Sequence, residues 1–69
     1  MTQEQAETVI TFARHDMNVT DTARVMYLHR NTLVYRLDKI TSDTGLNPRR
    51  FFDLVRLLML THEENNYGY

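Results

Sequence analysis

Ala23, Leu28 and Leu33 stand five residues apart inside the run Asn18-Val-Thr-Asp-Thr-Ala-Arg-Val-Met-Tyr-Leu-His-Arg-Asn-Thr-Leu-Val-Tyr-Arg-Leu37. No other feature of the chain constrains its fold as much. A short helix followed by a second one laid steeply across it brings two backbones close together, which requires a small residue at the crossing. Ala23 is that residue. Leu28 follows the turn and enters the core, and Leu33 faces back toward Ala23. The arrangement is that of a helix-turn-helix, although the same spacing fits any helical hairpin with a buried alanine.

The flanking sequence supplies two more helices. Thr2 is placed to cap the first, with Gln5 three residues on as capping-box partner. Ala6, Val9, Ile10 and Ala13 then recur at helical spacing, and the pattern fades at His15-Asp16. Asn18 and Thr20 are both suitable N-caps for the second helix, whose apolar members are Ala23, Val25, Met26 and Leu28. The third starts after His29, shows Leu33, Leu37 and Ile40 on its inner face, and ends at Gly45 in the C′ position. Asn47-Pro48 reads as a cap followed by proline in the first helical position. The fourth helix, about 48–62, is expected to show Phe51, Leu54, Val55 and Leu58 on one face, with Phe52, Leu57, Met59 and Leu60 off it. The expectation is an all-α, four-helix domain over residues 1–62 with a flexible tail at 63–69.

With 69 residues the chain makes one small domain, which hides about 60% of the surface its unfolded form exposes. It has no cysteine, hence no disulfide or thiolate-held metal. No apolar run approaches the ~20 residues needed to span a bilayer, and the polar residues 1–5 do not read as a signal peptide. These features point to a cytoplasmic module. The net charge of -1 is unevenly spread. Residues 30–50 hold Arg30, Arg36, Lys39, Arg49 and Arg50 against Asp38 and Asp43, a net of +3, while residues 1–29 and 51–69 each carry -2. Local charge governs phosphate contact, because salt screens beyond roughly 8–10 Å.

With Leu33 at zero and 100° per residue, Leu37 and Ile40 fall within about 40° of it. Thr32, Tyr35 and Lys39 fall on the far side, flanked by Asn31 and Arg36. Arginine can pair bidentately with guanine, asparagine with adenine, and threonine can meet a thymine methyl or a phosphate. A merely solvated face would alternate charges at i,i+4, whereas Arg36 and Lys39 are spaced to repel weakly.

His29-Arg30-Asn31-Thr32-Leu33-Val34-Tyr35-Arg36-Leu37, with Ile40 and Thr44-Gly45-Leu46 downstream, resembles the C-terminal DNA-binding domain of the purine-catabolism and sugar-diacid regulator family. It is more distantly similar to the DNA-binding half of the nucleoid protein called factor for inversion stimulation. The match runs from about Phe12 to Leu60. The resemblance implies a bacterial transcription regulator that binds double-stranded DNA, acts as a homodimer in its full-length form, and carries an effector-sensing region upstream, absent from this chain. By position it puts Arg30, Asn31 and Thr32 near base edges at the start of a recognition helix spanning about 30–43. Tyr35, Arg36 and Lys39 would line the groove wall, and Asn18 and Thr20 would meet phosphate. Val34 departs from the basic residue such domains often carry and removes one groove contact. Tyr27 stands in the turn where the more distant relative has glycine, so a bulky residue there takes positive φ at some cost.

The surplus of apolar residues on the fourth helix supports an alternative, a helical interaction or dimerisation module without DNA contact. An enzyme is disfavoured. His15, His29 and His62 lack paired ligand spacing, there is no Gly-rich phosphate loop, and a helical chain this short offers little concave pocket. No metal or cofactor is expected.

Overall fold

Each of four segments is closed at its N-terminus by a side chain or a turn that the local sequence provides. A computed structural model describes the backbone of residues 1–65 and the side chains of residues 1–61. The helices are α1 (Gln3–Arg14), α2 (Val19–Val25), α3 (Arg30–Thr44) and α4 (Phe51–Asn65). The described residues contain no strand, so the fold is all-α as expected.

At α1 the capping box is complete. Thr2 Oγ1 accepts from the Gln5 N–H at 3.1 Å, and Gln5 Oε1 accepts from the Thr2 N–H at 3.0 Å. Of the two expected caps for α2, Asn18 does the work, its Oδ1 accepting from the Asp21 N–H at 2.8 Å, while Thr20 lies inside the first turn. His29 caps α3, and Gly45 closes it with φ of 77°. Asn47 and Pro48 form a turn instead of opening α4. Asn47 Oδ1 accepts from the Arg49 N–H at 2.9 Å, and the helical ladder begins where the Leu54 N–H reaches the Arg50 carbonyl at 2.8 Å. The fourth helix therefore starts at Phe51, not Pro48. It continues to Asn65, so positions 63–65 of the expected tail are helical in backbone, and the remaining tail positions, 66–69, lie outside the described residues.

The core is built from Val9, Phe12, Ala23, Leu33, Leu37, Ile40, Leu54 and Leu57. Leu33, Leu37 and Ile40 are fully buried as the spacing predicted, and Leu28 packs against this cluster from the turn. Two expected faces are turned. On α1 the buried set is Gln5, Ala6, Thr8, Val9 and Phe12, while Ile10 and Ala13 are half-buried. Buried polar groups are tolerated where they are hydrogen-bonded, and both are: Thr8 Oγ1 donates to the Glu4 carbonyl at 2.9 Å and the Gln5 amide donates to Asp43. On α4 the inner face is Leu54, Leu57 and Thr61, with Leu58 half-buried, and Phe51 and Val55 are exposed. Leu57, expected off the core, is wholly inside it. The helix α1 packs against each of the other three, and α2 packs against α3.

Asp16, Met17 and Tyr27 all have positive φ, Tyr27 at 57°. A non-glycine residue there costs ~1–2 kcal/mol, and Tyr27 is 96% exposed, so its side chain recovers little by packing. Tyr27→Gly should therefore stabilise the domain even after glycine's extra freedom in the unfolded chain takes back about 0.5–1 kcal/mol. The expected result is a Tm higher by roughly 4 °C; a lower Tm would show that the tyrosine ring packs.

Candidate nucleic-acid interface

The helix pair α2–α3 is held at its turn by backbone bonds. The Leu28 N–H donates to the Ala23 carbonyl at 2.9 Å and the Tyr27 N–H to the Arg24 carbonyl at 3.2 Å. Ala23 is buried at this junction, as expected for the crossing. Thr22 Oγ1 donates to the Asn18 carbonyl at 2.6 Å, binding the first turn of α2 to its own cap. The turn delivers His29, whose Nδ1 accepts from the Asn31 N–H at 3.1 Å. Only an imidazole with a lone pair on Nδ1 can accept this bond.

With one face of α3 sealed in the core, the opposite face is open. Arg30, Asn31, Thr32, Tyr35 and Lys39 are exposed, and Val34 is half-buried. No ion pair or side-chain hydrogen bond engages Arg30, Asn31, Thr32 or Tyr35 among the described residues. On α2, Asn18 and Thr20 are also exposed.

The middle of α3 behaves differently. Arg36 leans toward α1 and is half-buried, its Nη2 lying 3.7 Å from Glu4 Oε2. Lys39 Nζ lies 3.3 Å from Asp43 Oδ1. Asp43 also accepts from the Gln5 amide at 2.9 Å. That bond, with help from Lys39, holds the Asp43 carboxyl below the usual carboxylate range, against the opposing effect of burial. Together these side chains line a cleft of about 250 Å³ between α1 and α3, with Tyr35 at its rim. Farther along, Asp38 takes Arg49 at 2.9 Å. Each of the two groove-wall cations expected to repel the other thus has a carboxylate of its own.

These features meet in one family. The family model of the PucR C-terminal helix-turn-helix domain matches residues 5–62. The chain belongs to that family. It is 44% identical to an uncharacterized protein of Bacillus subtilis (strain 168), YsfB, over 55 residues, which are 80% of this chain and 15% of that protein. It is 40% identical to the carbohydrate diacid regulator of Escherichia coli (strain K12) over 52 residues, which are 75% of this chain and 13% of that regulator. The chain spans 13–16% of the length of the curated relatives it matches. No solved structure matches it. These matches bear out the first resemblance and carry nothing for the likeness to the factor for inversion stimulation.

In this PucR-type domain the expected base-edge residues Arg30, Asn31 and Thr32 share one exposed end of α3, with Tyr35 a turn farther on. Asn18 and Thr20 lie on a separate helix start. The residues that the sequence reading missed are Glu4, which holds Arg36, Asp43, which holds Lys39, and Gln5, which donates to Asp43. The i,i+4 spacing of Lys39 and Asp43 was a visible signal; the Glu4–Arg36 pair joins α1 to α3 and had none. Among the described residues no helix is long and apolar enough to cross a membrane, and no group of three or more His, Cys, Asp or Glu side chains is placed to hold a metal.

Proposed function

We propose that this chain binds duplex DNA sequence-dependently as the DNA-reading, non-catalytic domain of a cytoplasmic bacterial transcription regulator, with α3 in the major groove. One observation carries the reading. The fold seals one face of α3 completely and leaves the side chains of Arg30, Asn31, Thr32 and Tyr35 on the other without a hydrogen-bond or ion-pair partner among the described residues. Arginine, asparagine and threonine at the start of a groove-entering helix are the residue types that read base edges. Asn18 and Thr20 would meet phosphate, and Arg36 and Lys39 would exchange Glu4 and Asp43 for phosphate on binding. The relatives' much greater length supports an effector-sensing region elsewhere in the full regulator.

The test is fluorescence anisotropy on a labelled duplex over a salt series. Binding should weaken linearly in log–log form, and Lys39→Ala should lower the slope by about 1. Glu4→Gln should tighten binding at low salt for every sequence, because it removes an anion that competes for Arg36. Absence of binding at low salt would sink this reading. It would leave the second one, an interaction module without DNA contact, which the exposed apolar face of α4 favours.

A further inference from the structure

We infer that His29 is the positioning residue of the base-reading turn, and that protonating its imidazole turns sequence-dependent binding of duplex DNA into sequence-independent binding. The inference rests on the DNA-binding reading above and starts from how α3 is capped. The Thr32 and Leu33 N–H groups reach the His29 carbonyl at 3.0 and 3.1 Å. The Asn31 N–H has one partner among the described residues, the imidazole Nδ1 at 3.1 Å. The ring is exposed, so this bond is open to protons from solvent. Asn31 and its neighbours Arg30 and Thr32 are the residues proposed to read bases, and this one side-chain bond holds the start of their turn.

The caps of α1 and α2 are of a different kind. The Thr2 hydroxyl closes the first and the Asn18 carboxamide the second, and neither group changes charge near neutral pH. Histidine does, between about pH 8 and pH 5. A proton on Nδ1 removes the lone pair that accepts from Asn31. It also sets a positive charge at the positive end of the helix dipole, beside Arg30, in a first turn that contains no acid. The surrounding carboxylates are engaged elsewhere. On α2, Asp21 pairs with Arg24 at 3.6 Å. On α3, Asp38 and Asp43 hold Arg49 and Lys39. On α1, Glu4 takes Arg36, while Glu7 and Arg14 make no ion pair among the described residues. His15 and Asp16 lie in the turn before α2, at the opposite end of that helix from His29. None of these carboxylates is within ion-pair distance of the His29 ring. Loss of the cap and repulsion by the dipole therefore act together to fray the first turn of α3. Phosphate contacts carry no sequence information and need no ordered first turn, so they survive the change.

The test is a competition, at about pH 8 and about pH 5.5 and fixed ionic strength, between two duplexes of equal length. One is selected from a random pool by the parent at the higher pH, and the other is its scrambled version. At the lower pH the preference for the selected duplex should fall roughly two- to fivefold, the size of a lost N-cap, while binding to the scrambled duplex does not weaken. His29→Asn keeps an oxygen acceptor that does not titrate, so its preference should be the same at both pH values. His29→Ala should show the reduced preference at both. A background of His15→Asn with His62→Asn leaves His29 as the one histidine and should preserve the effect. NMR of the ring nitrogens in the free domain gives an independent reading. The neutral ring should carry its proton on Nε2, and the Asn31 amide resonance should shift as the ring titrates. A neutral ring with its proton on Nδ1, or a preference that falls equally in His29→Asn, overturns the proposal. Binding with the same preference at both pH values overturns it and leaves the DNA reading standing. A domain that binds no duplex at either pH overturns both.

Discussion

Ala23→Leu should lower the domain's Tm by roughly 5–25 °C, or unfold it outright where the margin is smallest. Ala23 is 3% exposed and belongs to the same buried cluster as Leu33 and Leu37. Its carbonyl accepts from Leu28 across the turn, so the backbone at this point cannot retreat without breaking the α2–α3 junction. Extra methylenes in a packed core typically cost ~1–3 kcal/mol, and a domain this small holds roughly 3–10 kcal/mol in total. Each kcal/mol moves the Tm by about 4–8 °C in this size range. Thermal and urea melts followed by circular dichroism measure the effect. A melt within a degree or two of the parent would mean that α2 and α3 do not press together at Ala23.

Arg30→Ala and Asn31→Ala should flatten the domain's preference among duplexes without touching its fold. A lost bidentate base contact costs about 1–3 kcal/mol of discrimination, so the two together should reduce a selected sequence preference by roughly thirtyfold to ten-thousandfold. Both side chains are exposed and unpartnered, so stability should move by less than about 0.5 kcal/mol. Lys39→Ala provides the contrast, because loss of a phosphate contact weakens all sequences alike. Selection from a random duplex pool with parent and variants separates the two outcomes. If both variants enrich the same sequences as the parent with the same spread, bases are read by some other part of the chain.

Local chemistry made most of this architecture legible. The Thr2–Gln5 box, the Asn18 cap and Gly45 each act within a few residues of themselves, so their signals survive without knowledge of the fold. The same holds for Leu33, Leu37 and Ile40, whose helix has a polar far side to contrast with them. The fourth helix offered no such contrast. Leucine, phenylalanine and methionine surround it, and only docking on α1 decides that Leu57 goes inside while Phe51 and Val55 stay out. The rotated face of α1 has a similar cause: Gln5 and Thr8 are buried because hydrogen bonds to Asp43 and to the Glu4 carbonyl satisfy them, and the first of those bonds spans 38 residues. Of the candidate interface, the open end of α3 was readable from helical geometry. The tie between Arg36 and Glu4 was not, because it exists only once α1 and α3 are packed together.

The division of α3 into a sealed face and an unpartnered end also bears on divergence. Arg30, Asn31, Thr32 and Tyr35 can be exchanged one at a time with little penalty to folding, because nothing inside the domain leans on them. Arg36 and Asp43 lack that freedom, since each is tied to α1, the first to Glu4 and the second to Gln5. Duplicated copies of such a domain can therefore drift apart in what their first helical turn recognises while the scaffold beneath stays the same. New specificities become reachable through single substitutions that selection for stability scarcely sees.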